Sequence, residues 1–294
     1  MINRVKEILI SHYKKVVTIL SIITLILIGL LCLQLRHLTF LKQQSQTYKQ
    51  FTVVKKSMAA PVWKEPECLF NIQAGDTIEK IAQRLDEQEI IEKNCFLSYL
   101  QKEQIFIKGK VYNKGMRKYI LEGYFFPGSY ELYFDITPQE VCEVLINPYL
   151  IWIEKIHSQE ESRDIVTIAS MIEKEAATNK DRYMIAGVIM NRLNAEMRLQ
   201  IDATVLYALG YHKSALTKQD LKIESPYNTY FTSTLPPGPI CSPSYESLEA
   251  ALRPEIHSYF YYVVETYGQP HHTFSKTYEE HLEKVEQYKE SQKR

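Results

Sequence analysis

Ile168-Ala-Ser-Met-Ile-Glu-Lys-Glu-Ala176, running on to Met197-Arg-Leu-Gln-Ile-Asp-Ala-Thr204, is the stretch that decides the reading of this chain. Ile165, Ile168, Ala169 and Ile172 recur at the i, i+3, i+4, i+7 spacing of a buried helical stripe. Glu175 and Ala176 are the next positions on that stripe. At about 100° per residue, Glu173 points roughly 200° away from Glu175, towards a polar side shared with Val166 and Ser170. A carboxyl on an apolar face has its charged form disfavoured and holds a proton near neutral pH. A general acid needs that property. The competing reading makes Glu175 a helix-end carboxylate paired with Lys174 or Arg182, because buried ion pairs also perturb acids.

Working outward, the Glu175 helix breaks at Thr178-Asn179-Lys180, and a second helix is expected over about 181–195, ending in Asn191-Arg192-Leu193. Asp202 precedes Ala-Thr-Val-Leu-Tyr-Ala-Leu-Gly210, so it reads either as the N-cap of a helix closed by Gly210 or as a second carboxylate near the acid. Tyr227-Asn-Thr-Tyr230 and Leu235-Pro-Pro-Gly-Pro-Ile240 are rigid loops suited to a cleft wall or to surface turns. Tyr259–Val264 is an apolar strand with His271-His272-Thr273-Phe274 on its hairpin partner, and Thr277 with Glu280 caps a terminal helix. His271, His272 and His281 have no metal-binding spacing, and no metal is expected.

Towards the N-terminus, Thr137-Pro-Gln-Glu140 offers an N-cap, a Pro at N1 and a Glu at N3, predicting a helix over about 138–157. Glu122-Gly-Tyr-Phe-Phe-Pro-Gly-Ser-Tyr130 is dense in aromatics and turn residues, as a packed strand–turn or as a platform for sugar rings. Phe70 and Ile72 alternate as a short strand, Gly75 turns, and Asp76 with Glu79 resembles a capping box. The helix it opens has the face Ile78, Ile81, Ala82 and Leu85, and a second helix is expected around Asn94–Gln104. This strand–helix–helix pattern over residues 67–108 resembles a LysM-like module, a small fold that often binds N-acetylglucosamine chains.

The chain has 294 residues, 35 basic and 35 acidic side chains, and 45% hydrophobic content, enough for one large or two small cores. Balanced charge with no Arg/Lys block interleaved with aromatics argues against nucleic acid as a partner. Val16–Leu33 is an almost unbroken apolar run of a length that suits one membrane-spanning helix. No small-residue cleavage site follows it, which favours a retained anchor over a signal peptide. The expected organisation is a cytoplasmic tail (1–15), a transmembrane helix (16–35), a Gln/Lys-rich stalk (36–66), the LysM-like module (67–108) and a catalytic domain (109–294). The short tail ahead of a long folded part places that domain on the extracytoplasmic side of the cell membrane. Cys68, Cys95, Cys142 and Cys241 allow three pairings or buried thiols, and the sequence does not choose among them.

Six ordered motifs carry a resemblance: Ala169–Ala176, Val188-Ile-Met-Asn-Arg-Leu193, Met197–Val205, Tyr227–Tyr230, Leu235–Ile240 and His272-Thr-Phe274. Together they resemble the endolytic murein transglycosylases of the YceG-like (MltG) family. The resemblance implies an α+β chain whose mixed α/β catalytic domain is of YceG-like type. It also implies cleavage of the β-1,4 bond between N-acetylmuramic acid and N-acetylglucosamine inside glycan strands, with no cofactor. The family places its catalytic acid at the second Glu of Glu-Lys-Glu, which is Glu175 here. Arg192, Gln200, Asp202, Tyr227, Asn228 and His272 are the candidates for orienting substrate. Peptidoglycan strands are the implied substrate, and peptidoglycan synthases are the implied neighbours. This chain has Ala176 where the family more often has Thr or Ser, and its stretch ahead of Glu122 looks shorter than usual. Two other functions fit the same residues: a catalytically silent glycan-binding scaffold, and a glycoside hydrolase using Glu175 with Asp202.

Overall fold

The structure, a computed structural model, describes residues 68–156, 160–211, 213 and 215–293, all within one compact unit, Glu65–Arg294. The expected tail, transmembrane helix and stalk lie outside the described residues, among which no helix is long and apolar enough to cross a membrane. The chain alternates short strands with helices in a mixed α/β arrangement, and every sheet among the described residues is a two-stranded antiparallel pair.

The first element, β1 (Cys68–Ile72), is followed by α1 (Ile78–Glu87) and α2 (Lys93–Leu100). Ile78, Ile81, Ala82 and Leu85 are buried, as the periodicity expects. The cap of α1 is Thr77 rather than Asp76: the Thr77 hydroxyl accepts from the Lys80 N–H. Asp76 instead accepts from the Gln73 N–H at 2.8 Å and pairs with Arg84 at 2.9 Å, closing the turn at Gly75. Helix α2 stops at Leu100, short of Gln104, because Ile105 and Ile107 alternate into the core as β2 (Gln104–Ile107). Lys108 and Gly109, both at positive φ, turn β2 into β3 (Lys110–Asn113). The partner of β1 is β4 (Gly128–Leu132), so the sheet is completed by residues beyond 108.

Thr137 and Glu140 form the expected capping box, but the helix over 138–157 is two helices, α3 (Pro138–Leu145) and α4 (Asn147–Ile156). Pro148 explains the break. It lacks an N–H, so it cannot carry the hydrogen-bond ladder of α3 across the junction at Ile146. Tyr124, Phe125 and Phe126 are buried, with Phe126 edge-on to Tyr149, Trp152 and Tyr245, so this aromatic segment is core.

Helix α5 (Glu160–Glu175) runs through the middle of the core. Val166 to Ile172 are all buried, including Thr167 and Ser170, so α5 has no solvent face there. Thr167 and Ser170 direct their hydroxyls to backbone carbonyls one turn back, which satisfies them locally. Around α5 pack α6 (Asn179–Asn194), α7 (Asp202–Leu209) and α8 (Tyr245–Leu252). Strands β5 (Tyr261–Val264) and β6 (His272–Ser275) form the expected hairpin, against which α9 (Tyr278–Ser291) lies. Cys95, Cys142 and Cys241 are free thiols, the last two fully buried.

Candidate active site

Helix α5 ends at the residue whose chemistry matters, and Ala176, buried behind it, still donates to the Ile172 carbonyl. Lys174, a candidate partner for Glu175, donates to the Gly75 carbonyl at 2.6 Å. Arg182, the other candidate, donates to Ser247 and faces Glu173 at 3.9 Å. Both cations are engaged away from Glu175. Its donor is instead the Tyr262 hydroxyl on β5, 3.0 Å from Oε2.

Burial pushes the Glu175 carboxyl up to about 7, the Asp202 charge adds to that, and donation from Tyr262 opposes it. The Tyr262 hydroxyl is itself pushed well above its ordinary range by burial and by Glu175, so it stays a donor. Burial thus brings the Glu175 carboxyl to where it can hold or release a proton near neutral pH.

Glu173 departs from the sequence reading: it is not a solvated neighbour. Its side chain is 8% exposed, and Oε2 accepts from the Ser244 N–H (3.0 Å), the Ser244 hydroxyl (2.5 Å) and the Ser247 hydroxyl (2.6 Å). These donors sit at the N-terminus of α8, where the helix dipole also favours an anion.

Glu175 and Asp202 line one open cleft of about 850 Å³. One side of it is α1, with Thr77, Lys80, Gln83 and Arg84; the other is α7, with Ala203, Leu206 and Tyr207. Asp202 is exposed in the first turn of α7, where Ile201 is the cap residue and no side chain caps the helix, so the expected N-cap role is not the one it fills. It accepts the Tyr230 hydroxyl at 2.5 Å. Gly210 closes α7 at φ +77°, as expected.

The other candidates divide into near and far. His272 is next to the acid's partner: its ring lies edge-on to Tyr262, and its Nδ1 and backbone N–H both meet Asp181. Arg192 is a brace, donating to the carbonyls of Phe260 and Leu199 at 2.7 Å and lying over the Tyr261 ring. Gln200, in left-handed backbone at φ +52°, donates its N–H to the Thr229 carbonyl, leaving its side chain exposed. Asn228 is fully buried: its Nδ2 donates to the carbonyls of Leu221 and Ile223, and its Oδ1 accepts from Tyr230 N–H. It shapes the loop that delivers Tyr230 to Asp202. Tyr227 is buried against Tyr207, away from Glu175's hydrogen bonds.

Sequence reasoning missed Tyr262 and Tyr230. Tyr262 sat in a strand read as apolar, where a phenol is the one side chain with a polar tip to aim. Tyr230 was in a quoted motif, three positions from the tyrosine chosen.

A carboxylic acid with no cation paired to it among the described residues, donated to by a buried phenol and set in an open cleft beside Asp202, has the features an acid–base site on a mixed α/β scaffold needs. The chain belongs to the YceG-like family, whose model matches residues 41–287. It is 37% identical over 205 residues to an endolytic murein transglycosylase of Bacillus subtilis (strain 168), covering 67% of this chain and 56% of that relative. An endolytic murein transglycosylase of Streptococcus pneumoniae serotype 2 is 33% identical over 224 residues, covering 66% of this chain and 40% of the relative. The chain thus spans about half the length of the curated relatives it matches. A crystal structure of a YceG-like protein from Listeria monocytogenes superposes with a TM-score of 0.65 at 34% identity, covering 78% of each chain.

Proposed function

We propose that this chain is an endolytic lytic transglycosylase of peptidoglycan. It cleaves the β-1,4 bond between N-acetylmuramic acid and N-acetylglucosamine within glycan strands. The observation that carries this reading is Glu175, a carboxyl held at about 7 in an open cleft with one phenol as its hydrogen-bond donor. Protonated Glu175 gives its proton to the glycosidic oxygen as the muramic C1–O bond breaks. The resulting carboxylate, supported by the Tyr262 hydroxyl, accepts the proton of the muramic C6 hydroxyl as O6 bonds to C1. A 1,6-anhydro ring forms, the proton returns to Glu175, and no water or cofactor is consumed. An acid whose pKa lies near working pH suits both steps. In this reading Asp202, held by Tyr230 at the cleft, orients the sugar, and His272, bound to Asp181, braces Tyr262; Arg192, Gln200, Tyr227 and Asn228 serve by fixing the loops that carry these groups.

In the same reading residues 16–35 anchor the chain in the cell membrane with the rest outside, and the strand–helix–helix unit over 67–108 acts as a LysM-like glycan-binding wall. Working beside peptidoglycan synthases, the enzyme limits strand length. The test is the chemistry of the new ends. Full-length protein incubated with glycan strands and analysed by mass spectrometry is expected to yield 1,6-anhydromuramic ends. Reducing ends would instead indicate a hydrolase that uses Glu175 with Asp202, because both line the cleft. Intact strands would leave a binding scaffold.

A further inference from the structure

Glu122 takes no part in the chemistry above, yet it is fully buried, a costly place for a carboxyl. Its Oε1 accepts the backbone N–H of Ile78 at 2.9 Å, and its Oε2 accepts the Tyr207 hydroxyl at 2.9 Å. Ile78 is the first residue of α1 and Tyr207 lies on α7. These are the two helices that line the cleft leading away from Glu175. One carboxyl, hidden from the cleft, holds a wall with each oxygen.

The surroundings fix that carboxyl in place. Gly123 follows it at φ +79°, and a Cβ there would sit 2.3 Å from the Cβ of Pro239, so only glycine lets the turn close on the 235–241 loop. A second tie runs nearby: Lys118 pairs with Glu79 of α1 at 2.8 Å and lies 5.6 Å from the Tyr207 ring centroid. Burial pushes Glu122 up to about 7, while the Ile78 N–H and the Tyr207 hydroxyl pull it back. A phenol both donates and accepts, so the link to Tyr207 survives whether or not the carboxyl is protonated.

We infer that Glu122 is a positioning residue for strand binding, tying α1 to α7 beneath the cleft and so setting the width available to a glycan. This rests on the glycan-cleaving reading above. Glu122 has no exposed surface, so any effect on substrate passes through the two helices.

The test compares E122L, E122Q and Y207F in the full chain, with kcat and KM measured on long strands. Leucine fills the space but leaves the Ile78 N–H and the Tyr207 hydroxyl without an acceptor, whereas glutamine can keep both links. E122L is expected to raise KM about tenfold or more with kcat within about threefold of wild type, the pattern of lost binding rather than lost chemistry. E122Q is expected to stay within about threefold in both, and Y207F to raise KM by about three- to tenfold. An unchanged KM in E122L, a loss confined to kcat, or an E122Q as damaging as E122L would overturn the inference. Should E122L fail to fold, Y207F decides, and an unchanged KM there overturns it.

Strand retention measured in an E175Q background separates this from the acid assignment. Retention weakened by E122L, together with a wild-type chain that never cleaves strands, would sink the acid and keep the positioning role. Cleavage by wild type with retention indifferent to E122L and Y207F would sink the positioning role alone. A chain that neither cleaves nor retains strands overturns both.

Discussion

Glu173 and Glu175 lie two residues apart on one helix end, and neither is fully solvated, yet their surroundings are opposite. Glu173 collects a backbone N–H, two serine hydroxyls and a guanidinium at the N-terminus of α8. Glu175 receives one phenol and faces an open cleft with Asp202 nearby. The first site surrounds its carboxyl with donors; the second leaves its carboxyl with burial pushing it up to about 7. Burial alone does not distinguish the two carboxyls. The number and direction of the donors do.

The largest effect that would break this contrast is loss of chemistry. E175Q keeps the side chain's shape but cannot cycle a proton, so cleavage should fall about a thousandfold, within the usual range for a general acid–base. E173Q should retain most activity per folded molecule while costing about 1–3 kcal/mol of stability, because it weakens a buried, fully donated anion. Denaturant melts alongside rate assays check both; a fast E175Q or a dead but stable E173Q would reverse the assignment.

Y262F sharpens the contrast by taking away the phenol that donates to Glu175. A hydrogen bond to a charged group is worth about 1.5–3 kcal/mol, so kcat should fall roughly tenfold to a hundredfold. Because Tyr262 holds the Glu175 pKa down, its loss should move the alkaline limb of the kcat–pH profile to higher pH. D202N should move that limb the other way and by less, since the Asp202 charge raises Glu175 as a smaller contribution than the one by which Tyr262 lowers it.

The smallest effect is on stability. A carboxyl raised from 4.5 to about 7 on folding binds more protons folded than unfolded between those values. Stability therefore falls as pH rises from about 4.5 to about 7. E175Q should remove that loss and be more stable than wild type at pH 8 by about 1–3 kcal/mol. Glu122 titrates over the same window, so the wild-type minus E175Q difference isolates Glu175. An E175Q melt that tracks wild type at all pH values would mean the acid is not perturbed.

What the sequence made legible follows from how local each signal is. The β5–β6 hairpin, the Thr137 capping box and the Gly210 terminator rest on short-range spacing, and all are present. The face assigned to Glu173 failed because α5 is surrounded by α6, α7 and α8, so a 3.6-residue stripe no longer marks an inside and an outside. The helix over 138–157 failed at Pro148, a local signal overlooked. Tyr262 comes to Glu175 from 87 residues away, and Asn228 turns inward to bind Leu221 and Ile223, so no spacing rule announces either. Long-range hydrogen bonds chose which polar side chains face the cleft.

Direct titration of the carboxyls tests the central claim. With glutamate side chains carrying a 13C label, NMR across pH 3–9 should give one resonance with a midpoint near 7 that vanishes in E175Q, and a second near 7 that vanishes in E122Q. If the signal missing from E175Q titrates near an ordinary carboxyl's value of about 4.3, Glu175 is an unperturbed acid and the account of the site is wrong.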